Sequence, residues 1–318
     1  MDYKWLLILV LGAAIYLLWD VLVIMFIAFL LTAALLPIVR WLKIRKVPRV
    51  VSAVLLVIGL FVIPLILLAS VGPTIIEQGK ELSINTPQLV EQLETRLDMD
   101  LSQEIQDRFT NNSGQLAAGI FSVTSSVLKL VASLILVLVI TVYWLIYYDS
   151  ANAAIIKLLA TSKRRERQIT KTITSLENRL GSWVKAQILI SLAVGLLTWL
   201  VLALIGVPYA GVLAVIAGLL EIIPTLGPIL AAIPALLIAL TVSPQLFITV
   251  LIAYVAIQQF ESYVIAPRLL GQTVKLNPFV ILLSLIIGTK LLGITGALIA
   301  VPVTLTAHEL FLAYRRSS

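Results

Sequence analysis

Two carboxylates sit inside a hydrocarbon-like text that should exclude them. Glu221 falls in Gly218-Leu-Leu-Glu-Ile-Ile-Pro-Thr-Leu-Gly-Pro228, and Glu261 closes Gln258-Gln-Phe-Glu261 shortly before Pro267-Arg268. Proline lacks an amide hydrogen and clashes with the carbonyl one turn back. Pro224 and Pro228, with Gly227 between them, therefore predict a broken helix with carbonyls freed beside a carboxylate. Gln258 and Glu261 are three residues apart and share one helix face. That face either lines a polar path or bonds a neighbouring helix. Together these six residues, Glu221, Pro224, Gly227, Pro228, Gln258 and Glu261, would supply the oxygen-rich surroundings that a cation or a hydroxylated solute requires. The plainer alternative is that both acids lie near a membrane face, Glu221 hydrated and Glu261 paired with Arg268.

Other chemistry is excluded by residue type. There is no cysteine, so disulfides, thiolate nucleophiles and cysteine metal sites are absent together. One histidine, His308, cannot build a histidine-rich metal centre, and His308-Glu309 has no second histidine to complete a zinc-protease helix. The nearest approach to a phosphate-binding loop, Gly79-Lys80-Glu81, lacks the first glycine and the hydroxyl. No G-x-S-x-G elbow occurs. No enzyme activity, cofactor or metal is expected, and transport, if any, is passive or coupled to an ion gradient.

The elements that must hold these acids are membrane-spanning helices. The 318 residues are 60% hydrophobic and 12% charged, against about 25% charged in soluble domains, and mean hydropathy is +1.08. Runs such as 50–72 and 130–148 are long enough to cross ~30 Å of hydrocarbon as helix. In lipid, backbone groups must be satisfied within the segment, so such runs are helical. Apolar segments fall at about 5–19, 21–39, 50–72, 127–148, 186–206, 209–223, 225–242, 245–265, 278–291 and 293–313. No small-residue cleavage site follows the first, which reads as a retained span. Eight of the 13 prolines lie beyond residue 200, and the segments there are short. The expected fold is all-α and polytopic, with about eight transmembrane helices, an interrupted or re-entrant hairpin in the C-terminal half and a small helical external insert.

Charge sets the expected orientation. Interval 40–49 carries Arg40, Lys43, Arg45, Lys46 and Arg49 with no acid. Interval 149–185 is basic, above all at Lys163-Arg164-Arg165-Glu166-Arg167, and Arg315-Arg316 closes the chain. Lysine and arginine are retained in cytosolic loops, which accounts for the +7 net charge without nucleic acid. Interval 73–126 is acidic and belongs outside. Both termini are then cytosolic. Lys290, between Gly288 and Gly293, falls in a tight external turn. The expected divisions are 1–72, three transmembrane helices; 73–126, the external insert; 127–148, one helix; 149–185, a basic cytosolic segment; and 186–318, a Pro/Gly-interrupted transmembrane domain.

In the insert, Leu89, Leu93 and Leu97 recur at helical spacing, as do Leu101, Ile105 and Phe109. Such stripes need an apolar surface to cover: the membrane interface, each other, or a second copy of the chain. A homo-oligomer is expected, and a scaffold without transport activity is the alternative of another class.

The last 130 or so residues resemble the autoinducer-2 exporter family, a family of predicted permeases. The matching text is Gly181-Ser-Trp-Val-Lys-Ala-Gln187, Gly206-Val-Pro208-Tyr209, Glu221-Ile-Ile-Pro224-Thr-Leu-Gly227-Pro228, Gln258-Gln-Phe-Glu261, Pro267-Arg-Leu-Leu-Gly271, Leu276-Asn-Pro278 and Gly293-Ile-Thr-Gly296-Ala-Leu-Ile-Ala-Val-Pro302. The N-terminal half agrees in pattern. The resemblance implies a multi-pass permease exporting a small polar signalling molecule, or a sodium(lithium)/proton antiporter as some members are described. Where this chain has Asn277 the family often has histidine.

Overall fold

The computed structural model describes residues 18–60, 62, 73, 77, 113–270 and 276–317. Most of the expected first span and the whole leucine-striped part of the insert, with Leu89, Leu93, Leu97, Leu101, Ile105 and Phe109, lie outside the described residues. All secondary structure among the described residues is helical. The helices are α1 (Trp19–Ile44), α2 (Arg49–Leu60), α3 (Ser113–Leu159), α4 (Lys163–Ile205), α5 (Ala210–Leu220), α6 (Leu226–Val242), α7 (Pro244–Leu270) and α8 (Pro278–Ser317). Five of them, α1, α3, α4, α7 and α8, contain stretches long and apolar enough to cross a membrane. The protein is a polytopic helical membrane protein.

Helix ends follow local chemistry. After α1, Lys46 adopts φ 65° and Val47 donates to the carbonyl of Leu42 at 3.1 Å, a left-handed cap followed at once by Pro48. After α4 the same cap recurs with Gly206 at φ 81°, and Val207 donates to Leu202 at 2.9 Å. At the start of α7 the Ser243 hydroxyl accepts from the Leu246 amide at 3.0 Å, with Pro244 in the first turn. The basic interval 149–185 is almost wholly helix. α3 runs on to Leu159 and α4 begins at Lys163, where Ser162 accepts from the Arg165 amide.

α8 is not one straight rod. Gly293 has φ 60° and ψ −140°, and a Cβ on Gly296 would lie 1.9 Å from the carbonyl oxygen of Gly288. Eight residues of unbroken helix would separate those two positions by about 12 Å. The chain therefore folds back at Gly293 into a hairpin with arms 278–292 and 294–317, roughly 22 and 36 Å long. Lys290 lies three residues before Gly293, in the last helical turn of the first arm, beside the fold-back and not in it as the flanking glycines suggested.

Packing divides the chain into two compact units, 1–60 with 123–181 and 308–318, and 61–122 with 182–307. In the first, α1, α2 and α3 meet through Leu35, Leu36, Val39, Ala53, Val57, Leu145 and Tyr148. Gly181 of α4 lies against the α1 backbone, where a Cβ would come 2.2 Å from the Ala33 carbonyl. In the second, α5, α6 and α7 pack through small residues, among them Ala210, Ala217, Ala231 and Ala235. Leu192, Leu196 and Leu204 of α4 point outward instead. Small residues inside and aliphatic ones outside are what lipid solvent favours, because close backbone approach replaces the hydrophobic drive.

Candidate functional site

α5 has only 11 residues, about 16 Å of helix, too short to cross the hydrocarbon by itself. It turns through residues 221–225 into α6, so the interrupted hairpin expected from the prolines is present. The turn is unusual. Thr225 has φ 70° and ψ −46°, and Leu226 donates to the Pro224 carbonyl at 2.8 Å. This is a γ-turn of the rare, strained hand, placed on a β-branched residue that ordinarily avoids positive φ. Gly227 is required beside it, since a Cβ there would lie 2.0 Å from the Leu220 oxygen.

The carbonyls that the prolines release are mostly taken up again. Leu220 accepts from Ile223 at 2.9 Å and Pro224 from Leu226, while the Glu221 carbonyl accepts from the buried Gln187 side chain at 2.6 Å. The lining oxygens at the break are therefore chiefly side-chain atoms. Glu221 itself is 1% exposed, and its Oε2 has no hydrogen-bond partner among the described residues. An unsatisfied buried polar atom costs about 1–3 kcal/mol, more when charged.

The second acid lies at an irregularity of its own. Glu261 opens a π-helical turn, Glu261–Ile265, within α7, and its Oε2 accepts from Gln258 Nε2 at 2.8 Å. Such turns are frequent at functional positions. The pair expected between Gln258 and Glu261 is thus formed, while no ion pair joins Glu261 to Arg268 among the described residues. Both acids, the Pro224–Pro228 break and Gln187 belong to the second unit. The tip of the α5–α6 hairpin also touches the α8 hairpin, with Ile223 and Leu226 packed on Leu285 and Ala297.

The sequence reading missed three buried groups. Gln187 was legible only as part of the resemblance, and its role as anchor of the tip depends on α4 lying beside α5. In the first unit, Glu177 is 2% exposed and held by Arg40 through Nη1 at 2.6 Å and Nη2 at 3.3 Å, with the Tyr148 hydroxyl donating at 2.9 Å. Glu309, also 2% exposed, accepts from Ser175 at 2.6 Å. Arg179 Nε stands 3.1 Å from Glu309 Oε2, an ion pair by distance whose N–H direction does not complete a hydrogen bond. Arg49 pairs with Asp149 and donates to the Leu145 carbonyl at 2.7 Å. Lone acids within basic intervals were the available signal for Glu177 and Asp149.

Comparison with known proteins places the sequence in a family. Residues 5–316 match the AI-2E family transporter model. The chain is 27% identical to the Bacillus subtilis protein named "Putative transport protein YrrI" over 301 residues, 89% of this chain and 83% of that one. It is 30% identical to the same organism's "Putative transport protein YueF" over 87% of this chain and 79% of that one. With the "AI-2 transport protein TqsA" of Escherichia coli it shares 27% identity over 88% of this chain and 81% of that one. A broken, acid-bearing hairpin in a polytopic helical protein and a match over nearly the whole length lead to one conclusion: the chain belongs to the AI-2E family of transporters.

Proposed function

We propose that this chain is a secondary transporter, not driven by ATP, that exports a small polar solute of the autoinducer-2 type past Glu221 and Glu261. The observation that carries the reading is the buried Glu221 Oε2, unpartnered at a strained helix break. Half-helix ends and a carboxylate converging within a membrane domain form solute and ion sites in secondary transporters. Gln258 and Glu261 complete the site, and Pro224, Gly227 and Pro228 shape it. The name of the Escherichia coli relative supports the solute class. The basic intervals support cytosolic termini in a bacterial plasma membrane, and the insert's leucine stripes support self-association.

A second reading is favoured by the presence of two acids in one packing unit, each at an irregularity of its helix: a sodium(lithium)/proton antiporter, with Glu221 and Glu261 exchanging proton for cation. Purified protein in liposomes separates the two. Efflux of an autoinducer-2-type solute under an imposed pH gradient, lost in Glu221→Gln, supports export. Sodium flux without solute movement supports exchange. Neither flux would leave the scaffold as the surviving account.

A further inference from the structure

The face of α4 that meets α5 carries Gln187, Ser191, Gly195 and Thr198, spaced four, four and three residues apart and so on one side of the helix. The two helices touch backbone to backbone there: a Cβ on Gly195 would lie 3.3 Å from Gly218 Cα, and one on Gly218 would lie 3.2 Å from the Ser191 carbonyl. Of the five buried side-chain polar atoms without a hydrogen-bond partner among the described residues, three lie on this seam or at its end: Ser191 Oγ, Thr198 Oγ1 and Glu221 Oε2. Elsewhere in the apolar helices, hydroxyls bond their own helix one turn back, as Thr141 does to Val137 at 2.6 Å and Thr304 to Ala300 at 2.8 Å. Ser191 and Thr198 do not. Thr198 is 1% exposed, so surface water does not satisfy its hydroxyl.

We infer that the α4–α5 seam is a closed polar track leading from Glu221, in which the Ser191 and Thr198 hydroxyls contact the solute. The inference rests on Glu221 belonging to the transport path and adds the residues along which the solute moves. Hydroxyls donate and accept, and the carboxylates of Glu221 and Glu261 accept. No lysine or arginine stands among Gln187, Ser191, Thr198, Glu221, Gln258 and Glu261. This set suits a small neutral, hydroxyl-bearing solute and disfavours anions. Small residues on both sides let the helices close fully when the track is empty, and a modest separation would uncover the hydroxyls.

Because the chain has no cysteine, the track can be mapped with single thiols. Ser191→Cys, Thr198→Cys and, as controls from the outward face of the same helix, Leu192→Cys and Leu196→Cys would be reconstituted in liposomes. Each would be treated with a small cationic methanethiosulfonate. Modification at 191 and 198 at least ten times faster than at 192 and 196 is expected. Equal rates at all four positions would overturn the track. Thr198→Val tests the same idea without a thiol: it should raise the thermal midpoint, and a glycerol-sized polyol should then cross the reconstituted protein at least fivefold more slowly. A raised midpoint with unchanged polyol flux would assign the hydroxyl to packing alone and overturn the track as well. Fast labelling at 191 and 198 together with normal transport by Glu221→Gln would instead keep the track and remove Glu221 from the mechanism.

Discussion

The two packing units surround their buried acids differently: arginines face them in the first, and no ion pair reaches Glu221 among the described residues of the second. In the first, Glu177 receives a two-pronged arginine and a tyrosine hydroxyl, and Glu309 receives Ser175 beside Arg179. In the second, Glu221 is as deeply buried but its Oε2 has no hydrogen-bond partner among the described residues. A buried charge with matched hydrogen bonds holds helices in one arrangement. One left unmatched at a strained turn is costly, and persists where the missing partner arrives during function. The first unit reads as a clamp and the second as a site.

The largest effect should come from the two glycines on which each unit depends. Gly181→Ala and Gly227→Ala both drive a Cβ into a backbone carbonyl, at 2.2 and 2.0 Å. Each should cost about 3 kcal/mol or more, since backbone cannot yield as a side chain can. Thermal unfolding in detergent measures this, and either variant matching wild type would show that its close contact is dispensable.

Arg40→Ala comes next. It leaves the Glu177 carboxylate buried with only Tyr148. Loss of one partner of a buried pair costs up to 3–5 kcal/mol. Arg40 is half exposed, so about 2 kcal/mol is the expected loss. Adding Glu177→Leu should recover much of it, and a double variant less stable than Arg40→Ala would contradict the clamp.

Gln187→Leu removes the hydrogen bond to the Glu221 carbonyl and should cost about 1 kcal/mol. It should slow transport more than so small a loss of stability explains. A midpoint drop with normal transport would reduce Gln187 to a packing residue.

The smallest effect on stability belongs to Glu221→Gln, which keeps shape and hydrogen bonding while removing the charge. The thermal midpoint should hold or rise, and the pH dependence of transport should vanish. Wild-type transport at every pH tested would erase the contrast between the units. So would a midpoint drop as large as that of Arg40→Ala.

Much of this was legible in the text because membrane solvent is unforgiving. Long uncharged runs had to be helices, since unsatisfied backbone in lipid is too costly. Pro224 and Pro228 had to break one, and Gly293 marked the turn of the last hairpin. Glu221, Gln258 and Glu261 stood out as polar residues in apolar segments. Sequence could not show that the freed carbonyls would be recaptured by Ile223, Leu226 and Gln187, because recapture depends on the strained turn at Thr225 and on a neighbouring helix. Nor could it separate Glu177 from Glu221. Both are single letters near a boundary, and only the tertiary structure brings Arg40, 137 residues away in sequence, onto one of them and leaves the Oε2 of the other without a hydrogen-bond partner among the described residues. What each acid does depends on the electrostatics of its neighbours, and those neighbours are chosen by packing.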